Sequence, residues 1–189
     1  MTSDRTKAGP PAEAQNANAD AAAVCIRAVL PQDVERLVAL AREVWNDHYP
    51  GLISAAQIEY MLQQRYDPAL VRAELERDDV WWDQLLVGRE MAGFASYWLT
   101  PVPGEIKIDK LYVRSRYQRR GYGGMLIARA ADVAQRRGCN RLTLAVNKNN
   151  RTAIAAYLKH GFRVANAVVK DIGGGFVMDD YIMEKPLLS

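Results

Sequence analysis

The segment Gln118-Arg119-Arg120-Gly121-Tyr122-Gly123-Gly124 stands between an alternating run at 105–113 and a stretch with helical periodicity. Leu126, Ala130 and Val133 recur every three to four positions, Arg136 and Arg137 fill a last turn, and Gly138 stands where a helix ends. A strand, a short basic loop and a glycine-rich helix start therefore follow one another. The first turn of a helix has N–H groups without intrahelical acceptors and lies at the positive end of the dipole, so the segment reads as an anion site. Glycine at 121, 123 and 124 lets an anion reach the backbone. Arg114, Arg116, Arg119 and Arg120 are the candidates for compensating charge.

Working outward, the alternating run puts Ile106, Ile108 and Tyr112 on one side and Glu105, Lys107, Asp109, Leu111 and Val113 on the other, an ionisable face. Before it, 80–87 and 91–99 read as strands joined at Gly88-Arg89-Glu90, and Pro101 to Gly104 turns the chain again. Further upstream, 24–29 is a strand, and Pro31 and Asp33 open a helix that reaches about Asn46. Ser54 caps a second helix through Leu62, and Pro68 begins a third through Leu75. Downstream, 142–146 is a strand, 150–160 a helix closed by Gly161, and 162–171 and 176–185 are strands joined by Gly173-Gly174-Gly175. The order is one strand, two or three helices, three strands, helix, strand, helix, two strands, an α/β domain over 23–189. Residues 1–22, without a branched apolar or aromatic anchor before the domain, are expected to form a disordered tail.

The 189 residues, 49% hydrophobic and 25% charged, suffice for one domain with a sizeable core. A net charge of +3 is too weak to call for nucleic acid or membrane but suits an anionic ligand. Cys25 and Cys139 give neither metal spacing nor a disulfide framework, and both read as buried small hydrophobes in a reducing, cytoplasmic setting. No run approaches the roughly 18 apolar residues of a membrane span.

Two phosphate motifs fail on these residues. The sixth position of a G-x-G-x-x-G run would be Leu126, and no Gly-Lys-Ser/Thr follows the loop. Two other readings remain: a glycine-rich turn on a solvated basic face, and a nucleic-acid patch built from Arg114 to Arg120 with Tyr112, Tyr117 and Tyr122, for which the stretch is too short to make a groove.

Gln118-x-x-Gly121-x-Gly123 after an alternating strand resembles the cofactor motif of the GNAT N-acetyltransferases, written Gln/Arg-x-x-Gly-x-Gly/Ala. Asn150-Arg151-Thr152-Ala153-Ile154-Ala155-Ala156-Tyr157, then Gly161-Phe162, resembles the family's second motif at its usual place. The resemblance covers residues 24–187. The ending 178–187 and Trp45-Asn46-Asp47 are similar to bacterial spermine/spermidine-type acetyltransferases. The resemblance implies a three-layer α+β fold with a mixed, largely antiparallel sheet and helices on both faces, acetyl-CoA as cosubstrate, no metal, a small-molecule amine as acceptor, and a possible homodimer.

It also implies roles. The pantetheine arm would add along Leu111-Tyr112-Val113 where that strand splays from its neighbour, and Gln118, Arg119, Arg120, Gly121, Tyr122, Gly123 and Gly124 would hold the pyrophosphate. Asn150 would bond the pantetheine chain, and Tyr157, seven residues on and on the same helix face, would reach the thioester sulfur as general acid. The backbone N–H near Val113 would meet the oxyanion. For the base, Glu105 and Asp109 lie on the predicted face of Leu111; a water chain without a single base is the alternative. Asp47, Asp179 and Asp180 are candidate acids for a polycationic acceptor; Trp45, Tyr49, Trp81 and Trp82 are candidate aromatic walls, and His48 could line the acceptor site. A covalent route through Cys25 or Cys139 lacks a neighbouring histidine in the sequence. Acetylation of a protein N-terminus or lysine, and a non-catalytic acyl-CoA-binding module, are the competing functions.

Overall fold

The computed structural model describes residues 23–187, so the expected tail at 1–22 lies outside the described residues. The strands are β1 (Val24–Ala28), β2 (Val80–Val87), β3 (Glu90–Leu99), β4 (Glu105–Val113), β5 (Arg141–Asn147), β6 (Arg163–Gly173) and β7 (Phe176–Pro186). They form one sheet in the order β1-β2-β3-β4-β5-β7-β6. Neighbours run antiparallel except β4 and β5, which are parallel. A parallel pair needs a crossover, and α4 (Tyr122–Arg136) supplies it.

Helices α1 (Val34–His48), α2 (Ala55–Arg65) and α3 (Pro68–Leu75) cover one face, burying Leu37, Leu40, Val44, Ile58, Met61 and Val71 against Trp82 and Phe94. On the other face α4 buries Leu126, Ala130 and Val133 against Tyr97, Ile106 and Leu144, while α5 (Arg151–Lys159) packs at the margin through Ala153, Ile154 and Tyr157. This is the expected three-layer arrangement. Capping follows local chemistry: Ser54 Oγ accepts from Gln57 N at 3.1 Å, and Asp67 Oδ1 accepts from Ala69 N at 2.7 Å. Pro31–Asp33 forms a 3-10 turn ahead of α1. Asp33 stays outside the helix proper because its carboxylate accepts from Leu30 N (3.0 Å), Arg27, Arg36 and Gln84.

The strict alternation expected along β4 is corrected. Ser96 pairs with Lys110 but Tyr97 pairs with Ile108, so Asp109 is an extra residue, a β-bulge. Side-chain direction flips there. Ile106 and Ile108 pack on the α4 side, as do Leu111 and Val113, whereas Tyr112 joins the α1 side and Lys110 reaches over Trp82, 4.7 Å from its ring. Tyr112 therefore does not share a face with Ile106, nor Asp109 with Leu111. The bulge also bends the strand. Pairing of β4 with β5 runs from Glu105 opposite Arg141 to Ile108 opposite Leu144 and stops, while β5 continues beside β7 as far as Asn147 opposite Asp180.

Candidate active site

The diverging ends of β4 and β5 open a cavity of about 510 Å³. Its walls are the start of α4 and the inner side of α5 at one end, and α1, α2 and β7 at the other. Backbone polarity in the gap follows from the pairing. Arg114 N donates to Ala92 O at 2.8 Å, so alternation turns the N–H and C=O of Tyr112 toward β3 and those of Leu111 and Val113 toward the gap. The Val113 carbonyl accepts from Gln118 Nε2 at 3.0 Å. Gln118, expected among the pyrophosphate ligands, ties the loop back to the strand.

The cradle is built as its glycines suggest. Gly121 caps α4 with φ +84°, a conformation that glycine adopts without steric cost, and the N–H groups of Tyr122, Gly123 and Gly124 open the helix. A Cβ on Gly123 would project to 3.9 Å from Leu111 Cδ2, into the gap itself. One on Gly124 would overlap the imidazole of His160, which lies against the first turn. The arginines divide. Arg114 pairs with Glu90 and, at 2.9 Å, with Glu43; Arg116 pairs with Glu90, which also accepts from Tyr117 Oη at 2.7 Å. These two brace the loop and are corrected as phosphate partners, because carboxylates already neutralise them. Arg119 lines the cavity, Arg120 stacks over Tyr117, and neither has an ion-pair partner among the described residues. Free helix-start N–H groups, bare glycine faces and an unpaired arginine fit a pyrophosphate.

Asn150 is the N-cap of α5: its Oδ1 accepts from Ala153 N at 3.1 Å, and its Nδ2 lies 3.1 Å from His48 Nε2. With Oδ1 engaged by an N–H, the amide must donate to His48, whose Nε2 is then unprotonated. Both ends of the Asn150 amide are thus used inside the chain, and His48 and Asn150 both line the cavity. Tyr157 lines the cavity edge-on to Phe162, 5.7 Å away, and its hydroxyl has no hydrogen-bond partner among the described residues. Burial, reinforced by nearby Tyr49, pushes this phenol well above its ordinary pKa. Tyr49 and Tyr112 share a 3.3 Å hydroxyl contact, and Tyr49 stacks on Trp45 at 4.3 Å.

Both base candidates are otherwise engaged. Glu105 lies outside the cavity, bonded to Arg141 at 3.0 Å and to Thr100 at 3.0 Å. Asp109 lines the cavity but is clamped by Arg65 and Lys110, each at 2.7 Å. Burial would raise its pKa, yet the two cations outweigh burial and hold it well below the carboxylate range, so it is a poor proton acceptor. Of the other expected acids, Asp47 accepts from Ser115 outside the cavity, Asp179 pairs with Lys148, and Asp180 lines the cavity. Trp45 and Tyr49 are walls; Trp81 stacks on Tyr97 on the far face and Trp82 donates to Glu74 under α3, so neither is one. Cys25 is exposed rather than buried, Cys139 is buried, and neither lines the cavity. Arg65 and the His160–Gly124 contact had no sequence signal, since each depends on an element more than thirty residues away.

No helix among the described residues is long and apolar enough to cross a membrane. Residues 37–162 match the model of the acetyltransferase (GNAT) family. A spermidine N(1)-acetyltransferase of Thermoplasma acidophilum is 27% identical over 164 residues, 85% of this chain and 95% of the relative. A spermine/spermidine N(1)-acetyltransferase of Bacillus subtilis is 33% identical over 81 residues, 39% of this chain and 53% of that one. Among solved structures, the PaiA N-acetyltransferase of T. acidophilum in complex with coenzyme A superposes with a TM-score of 0.75 at 25% identity, covering 87% of this chain and 99% of that one. A GCN5-related N-acetyltransferase from Rhodopseudomonas palustris gives 0.72 at 25% identity, over 86% and 95% of the two chains. The splayed β4/β5 pair, the glycine cradle and the family match over most of the domain lead to one conclusion: the chain is an N-acetyltransferase of the GNAT family.

Proposed function

We propose that the protein moves an acetyl group from acetyl-CoA directly to a primary amine of a small molecule, with polyamines as the first acceptor class to test. The observation that carries the reading is the meeting of three features at one cavity: the β4/β5 gap, the anion cradle at the start of α4, and the unpartnered hydroxyl of Tyr157. The coenzyme A bound in the T. acidophilum structure and the spermidine activity in the relatives' names support the two substrates.

Acetyl-CoA, when bound, supplies the acetyl thioester. The chain's own residues do the rest. The N–H groups of Tyr122, Gly123 and Gly124 with Arg119 hold the pyrophosphate, and the gap-facing backbone groups of Leu111 and Val113 hold the pantetheine arm. The Val113 N–H faces the position where carbonyl oxygen gains charge. Tyr157, kept protonated by burial, holds the proton that the departing sulfur needs. Free-thiol release from acetyl-CoA, followed against polyamines, aminoglycosides, amino acids and short peptides, tests the reading. Release with spermidine or spermine is the expected result; acetyl-CoA binding with no release for any amine would replace the enzyme with a binding module, and release with peptides alone would move the acceptor to proteins.

A further inference from the structure

Asp180 sits on β7 opposite Asn147 of β5, at the end of the strand pairing that flanks the gap, and lines the cavity. Its Oδ1 is sealed from solvent without a hydrogen-bond donor, and the carboxylate has no ion pair among the described residues. A desolvated carboxylate left with neither donor nor counter-ion is rare and costly, and Asp180, which lines the cavity as a residue, is placed to turn its charge toward a cationic ligand there. The other acids near the gap are occupied, Asp109 by Arg65 and Lys110 and Asp179 by Lys148. The geometry points to Asp180 as the group that receives the acceptor's ammonium and takes its first proton. This inference rests on the acetyl-transfer reading given above.

The surroundings suit that role. The charged and titratable groups close enough to act on Asp180 are Tyr49 after α1, Arg65 from α2, Lys107 from β4, Lys148 after β5 and Asp179, its neighbour on β7; the residue paired with it on β6 is Val168. Burial and Asp179 raise its pKa against the pull of Lys107, Arg65 and Lys148. Asp180, Tyr49 and Tyr157 line the same cavity. An ammonium and a carboxylate in a poorly solvated site both lose hydration, which favours passage of the proton to give a neutral pair. The balance then closes. The ammonium yields one proton to Asp180, which returns it to solvent; the freed amine forms the N–C bond as the C–S bond breaks; Tyr157 protonates the sulfur and regains a proton from the acylated nitrogen.

An alkylamine with a pKa of about 10.4 is neutral in only about one molecule in 2,500 at pH 7. An enzyme that binds the ammonium shows kcat/KM level with pH above the pKa of its acid, whereas one that must wait for free amine gains tenfold per pH unit up to about pH 10. In Asp180→Asn, kcat/KM for spermidine should fall by about a hundredfold or more at pH 7 and recover steadily toward pH 10, with KM for acetyl-CoA within about twofold of wild type. The second readout needs no turnover: calorimetric binding of spermidine and of n-butylamine to the coenzyme A-loaded protein at pH 7 should weaken at least about tenfold in Asp180→Asn. Amine binding within twofold of wild type, or a wild type that binds no amine, overturns the inference. A wild type that binds amine through Asp180 yet releases no thiol keeps Asp180 as the ammonium site and removes both the proton step and the acetyl-transfer reading.

Discussion

Tyr157 combines a wall position in the cavity, an unpartnered hydroxyl and a pKa pushed upward by burial and Tyr49. A proton donor to a leaving sulfur must keep its proton until late, and this environment secures that across the physiological range. Tyr157→Phe keeps the ring contact with Phe162 and removes only the oxygen. Its kcat should fall by about a hundredfold while KM for acetyl-CoA changes less than about twofold; an unchanged kcat would reduce Tyr157 to a packing residue. Single residues were legible in the sequence where their role is local. Gly121 needs a left-handed conformation at a helix start, and Asn150 caps the helix that follows it. Asp109 was not, because its fate is decided by Arg65, which α2 delivers from 44 positions upstream. The arginines of the cradle loop were misread for the same reason: Glu90, on another strand, takes two of them.

Elements were legible where one period persists and opaque where it breaks. The period of α4, its basic last turn and Gly138 mark the helix to within a residue, whereas the β-bulge at Asp109 shows in β4 only as the adjacent polar pair Asp109-Lys110, which a reading of the run as one alternating strand passes over. Contacts between elements were equally hidden, and the seat of α5 on α4 is a case that can be tested. His160 ends α5, its carbonyl accepts from Lys185 Nζ at 2.7 Å, and its ring occupies the space that a side chain at Gly124 would fill. On helix propensity alone Gly124→Ala should stabilise by up to about 1 kcal/mol. The crowding against His160 predicts the opposite sign, a loss of about 1–3 kcal/mol in urea unfolding, with weaker acetyl-CoA binding because the cradle shifts. In a His160→Ala background most of that loss should vanish, a coupling of about 1 kcal/mol or more. A stabilising Gly124→Ala would show that the ring does not hold the helix start in place.

Across the whole molecule, two acids tie helices to the sheet and a third strains against its surroundings. Asp33 joins the start of α1 to Arg27 of β1 and Gln84 of β2; burial alone would raise its pKa, but Arg27, the Leu30 N–H and Gln84 together hold it low. Asp109 joins β4 to α2 and is held low by Lys110 and Arg65. A depressed carboxylate contributes stability that is complete above its ordinary pKa of about 3.9 and is lost as pH falls through the lowered value, so the fold should weaken below about pH 4. Asp33→Asn removes the charge and replaces one of the two acceptor oxygens by a donor, and should cost about 1–3 kcal/mol at pH 7, with the gap to wild type closing in acid. Asp180 has the reverse sign. Its folded pKa is raised, so its ionised form opposes folding once pH exceeds the raised value, and that opposition disappears below about pH 4. Asp180→Asn should therefore unfold at a higher temperature than wild type at pH 7 and at nearly the same temperature at pH 3. The substitution expected to disable amine capture is thus expected to stabilise the fold, as happens where a carboxylate is kept unpaired for a ligand. A lower unfolding temperature for Asp180→Asn at pH 7 would mean that Asp180 already has a partner inside the protein, and would count against its being held open for an amine.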